Sequence, residues 1–163
     1  MKKLALIIVV AAICSSAAFC TAFLSANDME PAKLASDLKL EDTIIKATSD
    51  KGVTIEATEA REASDGEIFN LRIKLNGTGN ATYRSIGFHA LAGETLTVYL
   101  NSSSKTDSRI LVLAKADGTQ VTTLVADPDT GKSGLQAFVI ADEGDYFVYS
   151  KSSGINIYQL IVE

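Results

Sequence analysis

The chain has 163 residues, with 15 basic and 20 acidic side chains and a formal net charge of −5. This length allows one domain of ordinary size and is too short for two. A chain with an acidic balance is a poor partner for nucleic acid or for an anionic membrane, so the composition argues against both.

The first 26 residues are predicted to be a signal peptide with its cleavage region. Met1-Lys2-Lys3 precedes an apolar run, and small residues follow that run, which is the order of a secretory signal. Cleavage after Ala18 or after Ala22 fits the small residues there, and a lipid anchor at Cys20 or an uncleaved helix are the alternatives. We therefore expect a secreted or cell-envelope protein, extracellular or periplasmic, with no membrane insertion after signal cleavage.

Both cysteines, Cys14 and Cys20, lie in this segment. Without it the chain has no cysteine for a disulfide, a thiolate metal site or a thiol nucleophile. The segment also carries Lys2 and Lys3 and no acid. Its removal leaves 13 basic against 20 acidic residues and a net charge of −7.

Residues 27–42 are predicted to be a spacer, and residues 43–163 a β-sandwich module. In the module, about ten short runs of β-branched and aromatic residues alternate with Asp-Gly and Asn-Gly turns, with no helical period. This pattern is typical of an all-β antiparallel sandwich, for which a jelly roll is the expected topology. The predicted strands are 43–47, 53–58, 69–75, 83–90, 95–100, 109–114, 119–125, 135–140 and the two arms of a closing hairpin in 144–162.

Two of these strands have apolar residues on both faces. One is 109–114, and the other is the last strand, which contains Ile155, Ile157, Leu160 and Val162. A strand without a polar face has to lie inside a sheet, so both are predicted to be central.

Catalytic chemistry has few candidates in this sequence. His89 is the one histidine, and it falls on the strand face opposite Ile86 and Phe88, where a solvent-facing position is expected. No nucleophile-elbow motif accompanies it, and the acids that a glycosidase would need lie in turns or on wet faces. An enzyme is therefore the least favoured interpretation, and no cofactor is required.

Arg84 and Arg109 are more informative. Each begins a predicted strand and shares parity with apolar residues, so each is expected at the rim of a sheet. A guanidinium there either caps carbonyls and acids of the protein or grips a ligand carboxylate bidentately. Lys105, Lys132 and Lys151 lie in polar loops and join the second arrangement if those loops cluster.

Tyr99 and two acids complete the candidate set. Tyr99 lies on the parity opposite the apolar positions of its strand, so its ring is predicted to face outward, where it can stack on a sugar. Asp127-Pro128-Asp129-Thr130-Gly131 resembles the start of a calcium loop, with Asp127 and Asp129 as weak ligand candidates, but the bidentate acid expected further along is missing. An ordinary Asp-Gly turn is the alternative, and a structural Ca²⁺ between other loops stays open.

Several short segments, taken in order and spacing, resemble one family. They are Leu75-Asn76-Gly77-Thr78-Gly79, Arg84-Ser85-Ile86-Gly87-Phe88, Gly93-Glu94-Thr95-Leu96-Thr97-Val98-Tyr99, Ser102-Ser103-Ser104 before Arg109, Tyr149-Ser150 and Gly154-Ile155-Asn156-Ile157-Tyr158. From about Asp42 to Val162 the chain resembles a β-sandwich module found beside bacterial pectate lyases and related polysaccharide-degrading enzymes. The resemblance implies a non-catalytic module of the carbohydrate-binding type.

Two hypotheses from different classes follow. In the first, the module recognises a plant or microbial polysaccharide, which would be pectic if Arg84, Arg109 and the loop lysines meet sugar carboxylates. In the second, it is a structural or adhesive cell-surface protein that binds another protein through the sandwich loops. The sequence does not set the oligomeric state.

Overall fold

A computed structural model describes residues 20–163, and the fold in this range is a β-sandwich. Two antiparallel sheets face each other across one apolar core, which confirms the predicted fold class. Most of the predicted signal peptide, with the cleavage position after Ala18, lies outside the described residues. Residues 20–163 contain no helix long and apolar enough to cross a membrane.

Thirteen strands and one short 3-10 helix, Ala26–Asp28, make up this range. The strands are β1 (Ala22–Ser25), β2 (Ala32–Leu34), β3 (Leu38–Lys39), β4 (Thr43–Lys46), β5 (Val53–Glu62), β6 (Ile68–Leu75), β7 (Ser85–Ala90), β8 (Thr95–Ser102), β9 (Arg109–Lys115), β10 (Gln120–Ala126), β11 (Gly134–Val139), β12 (Gly144–Ser150) and β13 (Ile155–Val162). The ten strands from β4 onward correspond to the ten predicted ones.

The strand order is that of a jelly roll. The seven-stranded sheet runs β11-β8-β13-β6-β5-β2, with β1 also paired to β13, and the six-stranded sheet runs β10-β9-β12-β7-β4-β3. The eight strands β6 to β13 thus divide into β6, β13, β8, β11 and β7, β12, β9, β10, the arrangement of two Greek keys. Both strands predicted to be central, β9 and β13, have neighbours on each side.

The core is built by the two-residue period of the strands. In β12, Tyr146 and Val148 are buried in the core while Phe147 and Tyr149 point the other way and are half-buried. The same alternation places Leu96, Val98 and Leu100 inside from β8. Because every strand contributes one apolar row, the two sheets close over a single continuous core.

The N-terminal part of the described chain belongs to the sandwich, which differs from the predicted boundaries. β1 pairs with β13 in register Ala22 with Val162, and Ala22 and Leu24 are buried in the core. The apolar residues at 22–25 resemble the end of a leader, but small and apolar residues are equally what a buried strand requires. Cleavage after Ala18 would leave β1 whole, whereas cleavage after Ala22 would remove its first residue.

The predicted spacer, 27–42, also contributes to the sheets. β2 pairs with β5 and β3 pairs with β4, so the segment supplies one edge strand to each sheet. Leu34 and Leu38 pack against the core. The segment shows no period because its strands have only three and two residues, too few for an alternating pattern.

Five connections meet at one end of the sandwich, which we call the loop end. Successive antiparallel strands reverse direction, so every second connection lies at the same end. Backbone hydrogen bonds join these loops, from Asp129 N–H to Ser104 O at 2.8 Å and from Ser103 N–H to Gly154 O at 3.1 Å. The loop end consists of residues 47–52, 76–84, 103–108, 127–133 and 151–154.

The burial of β1 predicts that Leu24 stabilises the fold and that its neighbour Phe23 contributes little. Leu24 is 3% exposed, so Leu24→Ala is expected to lower the free energy of unfolding by about 2–5 kcal/mol. Phe23 is 45% exposed on the same strand, and Phe23→Ala is expected to lower it by less than about 1 kcal/mol. Urea denaturation measures both, and equal losses would contradict the placement of β1.

Candidate functional site

The structure brings four of the five predicted site residues to the loop end. Lys105 and Lys151 are exposed in the loops 103–108 and 151–154. Arg84 ends the loop 76–84, and Arg109 begins β9 beside them. The fifth residue, Tyr99, lies in β8 away from these loops. The loops therefore do cluster, as a shared site for these cations requires.

Arg109 is engaged by the protein itself. Its guanidinium donates to the Ser103 hydroxyl at 2.6 Å and to the Gly154 carbonyl. A Cβ at position 154 would lie 2.7 Å from the Ser103 oxygen, so the close approach of these loops requires glycine there. This geometry is the carbonyl-capping alternative of the sequence analysis: Arg109 joins the 103–108 and 151–154 loops.

Arg84 is different from the other arginines of residues 20–163. Its φ of 48° makes it the one non-glycine residue in this range with a left-handed backbone. Its Nε is buried without a hydrogen-bond partner, while Arg61, Arg72 and Arg109 each donate to protein acceptors. Strained backbone and unsatisfied polar atoms both cost free energy, and such costs concentrate at ligand sites.

Two glycines make room for Arg84. A Cβ at Gly77 would lie 2.9 Å from the Arg84 Nη1, and one at Gly79 would lie 3.0 Å from the Tyr83 carbonyl oxygen and 3.1 Å from the Tyr149 Cβ. Gly77 itself has a φ of 141°, a conformation that side chains rarely adopt. The Asn76-Gly77-Thr78-Gly79 turn is thus shaped around the Arg84 side chain and backbone.

Tyr99 is buried, which corrects its prediction as an outward-facing ring for stacking. The side chain does point away from the main core, but it is 6% exposed and lies 5.2 Å from the Phe69 ring. Its hydroxyl donates to Asp65 at 2.6 Å, in the loop between β5 and β6. Burial, together with the Asp65 carboxylate, raises the pKa of Tyr99 to about 12. A loop that covers this part of the sheet removes the ring from solvent.

The two calcium candidates have different surroundings. Asp129 receives two hydrogen bonds from Arg61, at 3.0 and 3.2 Å, and both side chains are nearly buried. Asp127 is exposed. Within residues 20–163 no group of three His, Cys, Asp or Glu side chains is placed to hold a metal ion. A cation at Asp129 would therefore have to displace the Arg61 guanidinium.

The outer face of the six-stranded sheet carries aromatic residues that the sequence analysis did not select. We call it the aromatic face and define it by Ile44, Gly87, Phe147 and Tyr149. Phe147 pairs with Gly87 across the strands, and a Cβ on Gly87 would lie 2.5 Å from the ring and 2.8 Å from the Ile44 methyl. The Phe147 ring thus packs against the glycine through its Cδ1 and Cε1 atoms and is half-buried.

An open cleft of about 570 Å³ lies on this face. Its apolar floor includes Ile44, Gly87 and Phe147, and its polar residues are Lys39, Glu41, Asp42, His89 and Asp145. His89 is 47% exposed, as predicted, and its Nδ1 lies 2.9 Å from an Asp145 oxygen. The second ring nitrogen is 3.8 Å from Glu143. This end of the cleft is acidic, whereas Arg84 precedes Ser85, which pairs with Tyr149 at the other end of β12.

The sequence pattern of 145–149 is compatible with an aromatic outer face but does not identify it. In 145–149 the residues Phe147 and Tyr149 share parity with the exposed Asp145, and the opposite parity holds Tyr146 and Val148. Since both parities are apolar, the pattern alone could not tell which pair faces the core. For this reason the sequence alone does not place Tyr149 on the outer face of the sheet.

Comparison with known proteins gives only distant similarities. No family model matches the chain, and no curated protein matches it. Among solved structures, the xylan-binding domain CBM22-1 of Paenibacillus barcinonensis Xyn10C is similar with a TM-score of 0.47 at 6% identity, over 88% of this chain and 93% of that one.

Two further structures show the same level of likeness. The CBM51-2 and INT domains of Clostridium perfringens ZmpB, in complex with GlcNAc, give a TM-score of 0.45 at 8% identity, over 87% of this chain. An arabinose-bound GH51 α-L-arabinofuranosidase gives 0.47 at 10% identity, over 85% of this chain. This chain spans 32% and 25% of those two chains. At these values the likeness is remote, so function is argued below from this chain's own geometry.

The Arg61–Asp129 pair predicts an acid-sensitive loop end. Burial alone would raise the pKa of Asp129, but hydrogen bonds from Arg61 and from the Gly131 N–H lower it below 3.8 overall. A lowered folded pKa means that the stabilisation is fully present above about pH 4 and is lost as the pH falls through the folded value. Asp129→Asn leaves Arg61 without its anion, so we expect a loss of about 3–5 kcal/mol at pH 7.

Asp127→Asn is the matched control, since Asp127 is exposed and is expected to change stability by less than about 0.5 kcal/mol. Thermal unfolding at pH 7 and pH 3, with Ca²⁺ or with a chelator, measures all three effects. A Ca²⁺-dependent rise in Tm that both substitutions abolish would support the calcium loop and contradict the Arg61 pairing.

Proposed function

We propose that the protein is an exported, non-catalytic carbohydrate-binding module that holds a polysaccharide along the aromatic face. The observation that carries the proposal is the half-buried Phe147 ring packed against Gly87 in the lining of an open cleft. A pyranose has an apolar C–H face that packs on such a ring. The cleft volume of about 570 Å³ is within the usual range for small-ligand sites.

The direction of the bound chain follows from β12. Phe147 and Tyr149 are two residues apart on one strand, so their attachment points are separated by about 7 Å along the sheet. A polysaccharide lying parallel to β12 would therefore contact both rings with successive parts of its chain. An open cleft, rather than a closed pocket, admits a polymer that continues beyond the site at both ends.

We further propose that Arg84 takes a carboxylate of the bound glycan, as in a pectic polysaccharide. The support is the Arg84 side chain at the loop end, whose Nε has no hydrogen-bond partner within residues 20–163 and whose Nη1 lies beside Gly77. A carboxylate would supply two parallel hydrogen bonds in the geometry that a guanidinium favours. Since Glu41, Asp42 and Asp145 border the other end of the cleft, a uronate there would be repelled. We expect neutral sugar units over Phe147 and the acidic unit at Arg84.

The proposal includes no reaction. His89 is paired with Asp145 on an exposed part of the sheet, and among residues 20–163 no hydroxyl or thiol nucleophile is hydrogen-bonded to its ring. A serine hydrolase needs that contact, because the histidine has to take the proton of the nucleophile. The acidic residues beside the cleft make it negatively charged, and the proposal gives them no catalytic role.

Phe147→Ala tests the stacking. We expect it to weaken polysaccharide binding at least tenfold, or about 1.4 kcal/mol, because the ring supplies the apolar floor. Phe23→Ala is the control, since that ring is exposed on the other sheet. Affinity electrophoresis and calorimetry against pectin, xylan, cellulose and mannan measure the effect. No retardation by any of these glycans, together with retention on whole cells, would favour the adhesive alternative and reject the proposal.

Arg84→Asn tests the carboxylate grip by separating affinity from stability. Asparagine tolerates a left-handed backbone and removes the unsatisfied guanidinium, so we expect Tm to stay the same or rise. Affinity for de-esterified pectin should fall at least tenfold, and affinity for methyl-esterified pectin should not change. Wild-type binding to de-esterified pectin should also weaken with added salt, since it depends on a charge pair. If Arg84→Asn lowers Tm and leaves both affinities intact, Arg84 has a structural role instead.

A further inference from the structure

The outer edge of β11 has no partner among residues 20–163. β11 pairs with β8 on one side only. Ile140, the residue after it, donates its N–H to Glu94 O at 2.7 Å and accepts from the Gly93 N–H at 2.8 Å, so its backbone groups point to the β8 side. Such groups alternate along an antiparallel strand. Leu135, Ala137 and Val139 therefore direct their N–H and C=O groups to the open edge.

The same three residues also expose their side chains. Leu135 and Val139 are 37% and 60% exposed, and Ala137 is exposed between them. They form one row on the outer side of the sheet, because they share a parity. An apolar row beside unpaired backbone groups is a template for pairing with another strand.

Two of the other edges of the sandwich are protected, whereas β10, the edge of the six-stranded sheet on the same side as β11, also has no charge and no proline. β2 and β3, on the opposite side, have three and two residues and carry Lys33 and Lys39. Short length and an edge lysine are the usual defences against pairing with another chain. β11 has six residues, Gly134–Val139, without a charge or a proline.

We propose that β11 pairs antiparallel with β11 of a second copy of this chain, about a two-fold axis at Ala137. Residues opposite each other in an antiparallel pair point to the same side of the sheet. One residue of β11 therefore has to lie directly opposite the same residue of the second copy, with the two-fold axis between them. With the axis at Ala137, Leu135 lies opposite Val139 of the partner subunit. Every free N–H and C=O of the three residues then has a partner in the other copy.

Charge does not oppose a second copy at this edge. The chain has a net charge of −5, so two copies repel each other in general. β11 carries no charge, and its cross-strand neighbours on the outer side of β8 are Tyr99, Thr97 and Thr95. Two acidic molecules can therefore approach along this strip without placing like charges opposite one another.

The two-fold axis has a consequence for binding, which rests on the proposed function. An axis that relates two antiparallel edge strands of one continuous sheet runs perpendicular to that sheet. The aromatic faces of both copies, each defined by Ile44, Gly87, Phe147 and Tyr149, would then point in the same direction. A dimer would hold one long polysaccharide at two sites, which raises the effective concentration for the second contact.

Sedimentation velocity of the purified protein, without any glycan, tests the dimer. We expect a monomer–dimer equilibrium in the micromolar range, and Val139→Lys should weaken it at least tenfold by placing a charge opposite Leu135 of the second copy. Val125→Lys is the matched control, since Val125 is exposed on β10, the edge strand of the other sheet on the same side. A wild-type monomer throughout the micromolar range, or equal weakening by both lysines, would overturn the proposal.

Ala137→Pro gives a second measurement that keeps the β8 ladder intact. The Ala137 N–H points to the open edge, so proline in both copies removes the two central hydrogen bonds of the dimer but no bond to β8. Thermal unfolding confirms that the variant is folded. Loss of the dimer in a folded variant supports the pairing, and an unchanged dimer refutes it. If the dimer is confirmed while Val139→Lys binds polysaccharide as tightly as the wild type does, the two-site consequence is wrong. If the dimer is confirmed and neither protein binds any glycan, the glycan proposal fails independently of the dimer.

Discussion

The burial of both faces of β13 is the constraint on which the rest of the structure depends. Ile155, Ile157, Leu160 and Val162 fill the core side, and Asn156 and Tyr158 are buried on the opposite side. A strand with no exposed face needs neighbours at both edges and layers above and below it. β8 lies along one edge, β6 and β1 share the other, and the six-stranded sheet covers the core side. An irregularity between Ile157 and Gln159 places Tyr158 beside Phe69, under the segment that also covers Tyr99.

This arrangement leaves one sheet face open and closes part of the other. On the seven-stranded sheet, Tyr99, Tyr158 and Phe69 form a second small core with Ala63, beneath the β5–β6 connection. On the six-stranded sheet, the rings of Phe147 and Tyr149 have only Gly87 and Ser85 opposite them on β7, so no large side chain from that strand covers them. The β5–β6 connection thus covers the three rings on the outer side of the seven-stranded sheet, while Phe147 and Tyr149 on the outer side of the six-stranded sheet stay half-exposed and form the proposed binding face.

The arginines also divide into those that stabilise the fold and one that the proposal assigns to ligand binding. Arg61 and Arg72 pair with Asp129 and Glu56, and Arg109 caps a carbonyl at the loop end. Each of these arginines is fully explained by the contacts of the folded chain. Arg84 is the exception, because its left-handed backbone and its partnerless Nε both oppose folding. The glycines of the 76–79 turn leave room for it, and in the proposed complex its guanidinium binds a ligand carboxylate.

Much of the fold was predictable from the local pattern. The ten strands of 43–163, their turns and the central positions of β9 and β13 follow from alternation and from strands without a polar face, which are properties of neighbouring residues. The strands of 22–39 escaped prediction because β2 and β3 are too short to show a period. β1 escaped because its apolar residues continue an apolar leader.

The sequence pattern was enough for the fold class, for the strands of 43–163, and for placing Arg84 and Arg109 at strand starts and Lys105 and Lys151 in polar loops. Only the tertiary structure shows how these side chains are engaged: within residues 20–163 Arg109 donates to Ser103 and Gly154, while the Arg84 Nε has no acceptor. It also decided that Tyr99 is covered and Phe147 is not. Two-residue alternation states only that two side chains point to opposite faces of a strand. Which face is the core, and which outer face another part of the chain covers, depends on contacts between residues far apart in sequence.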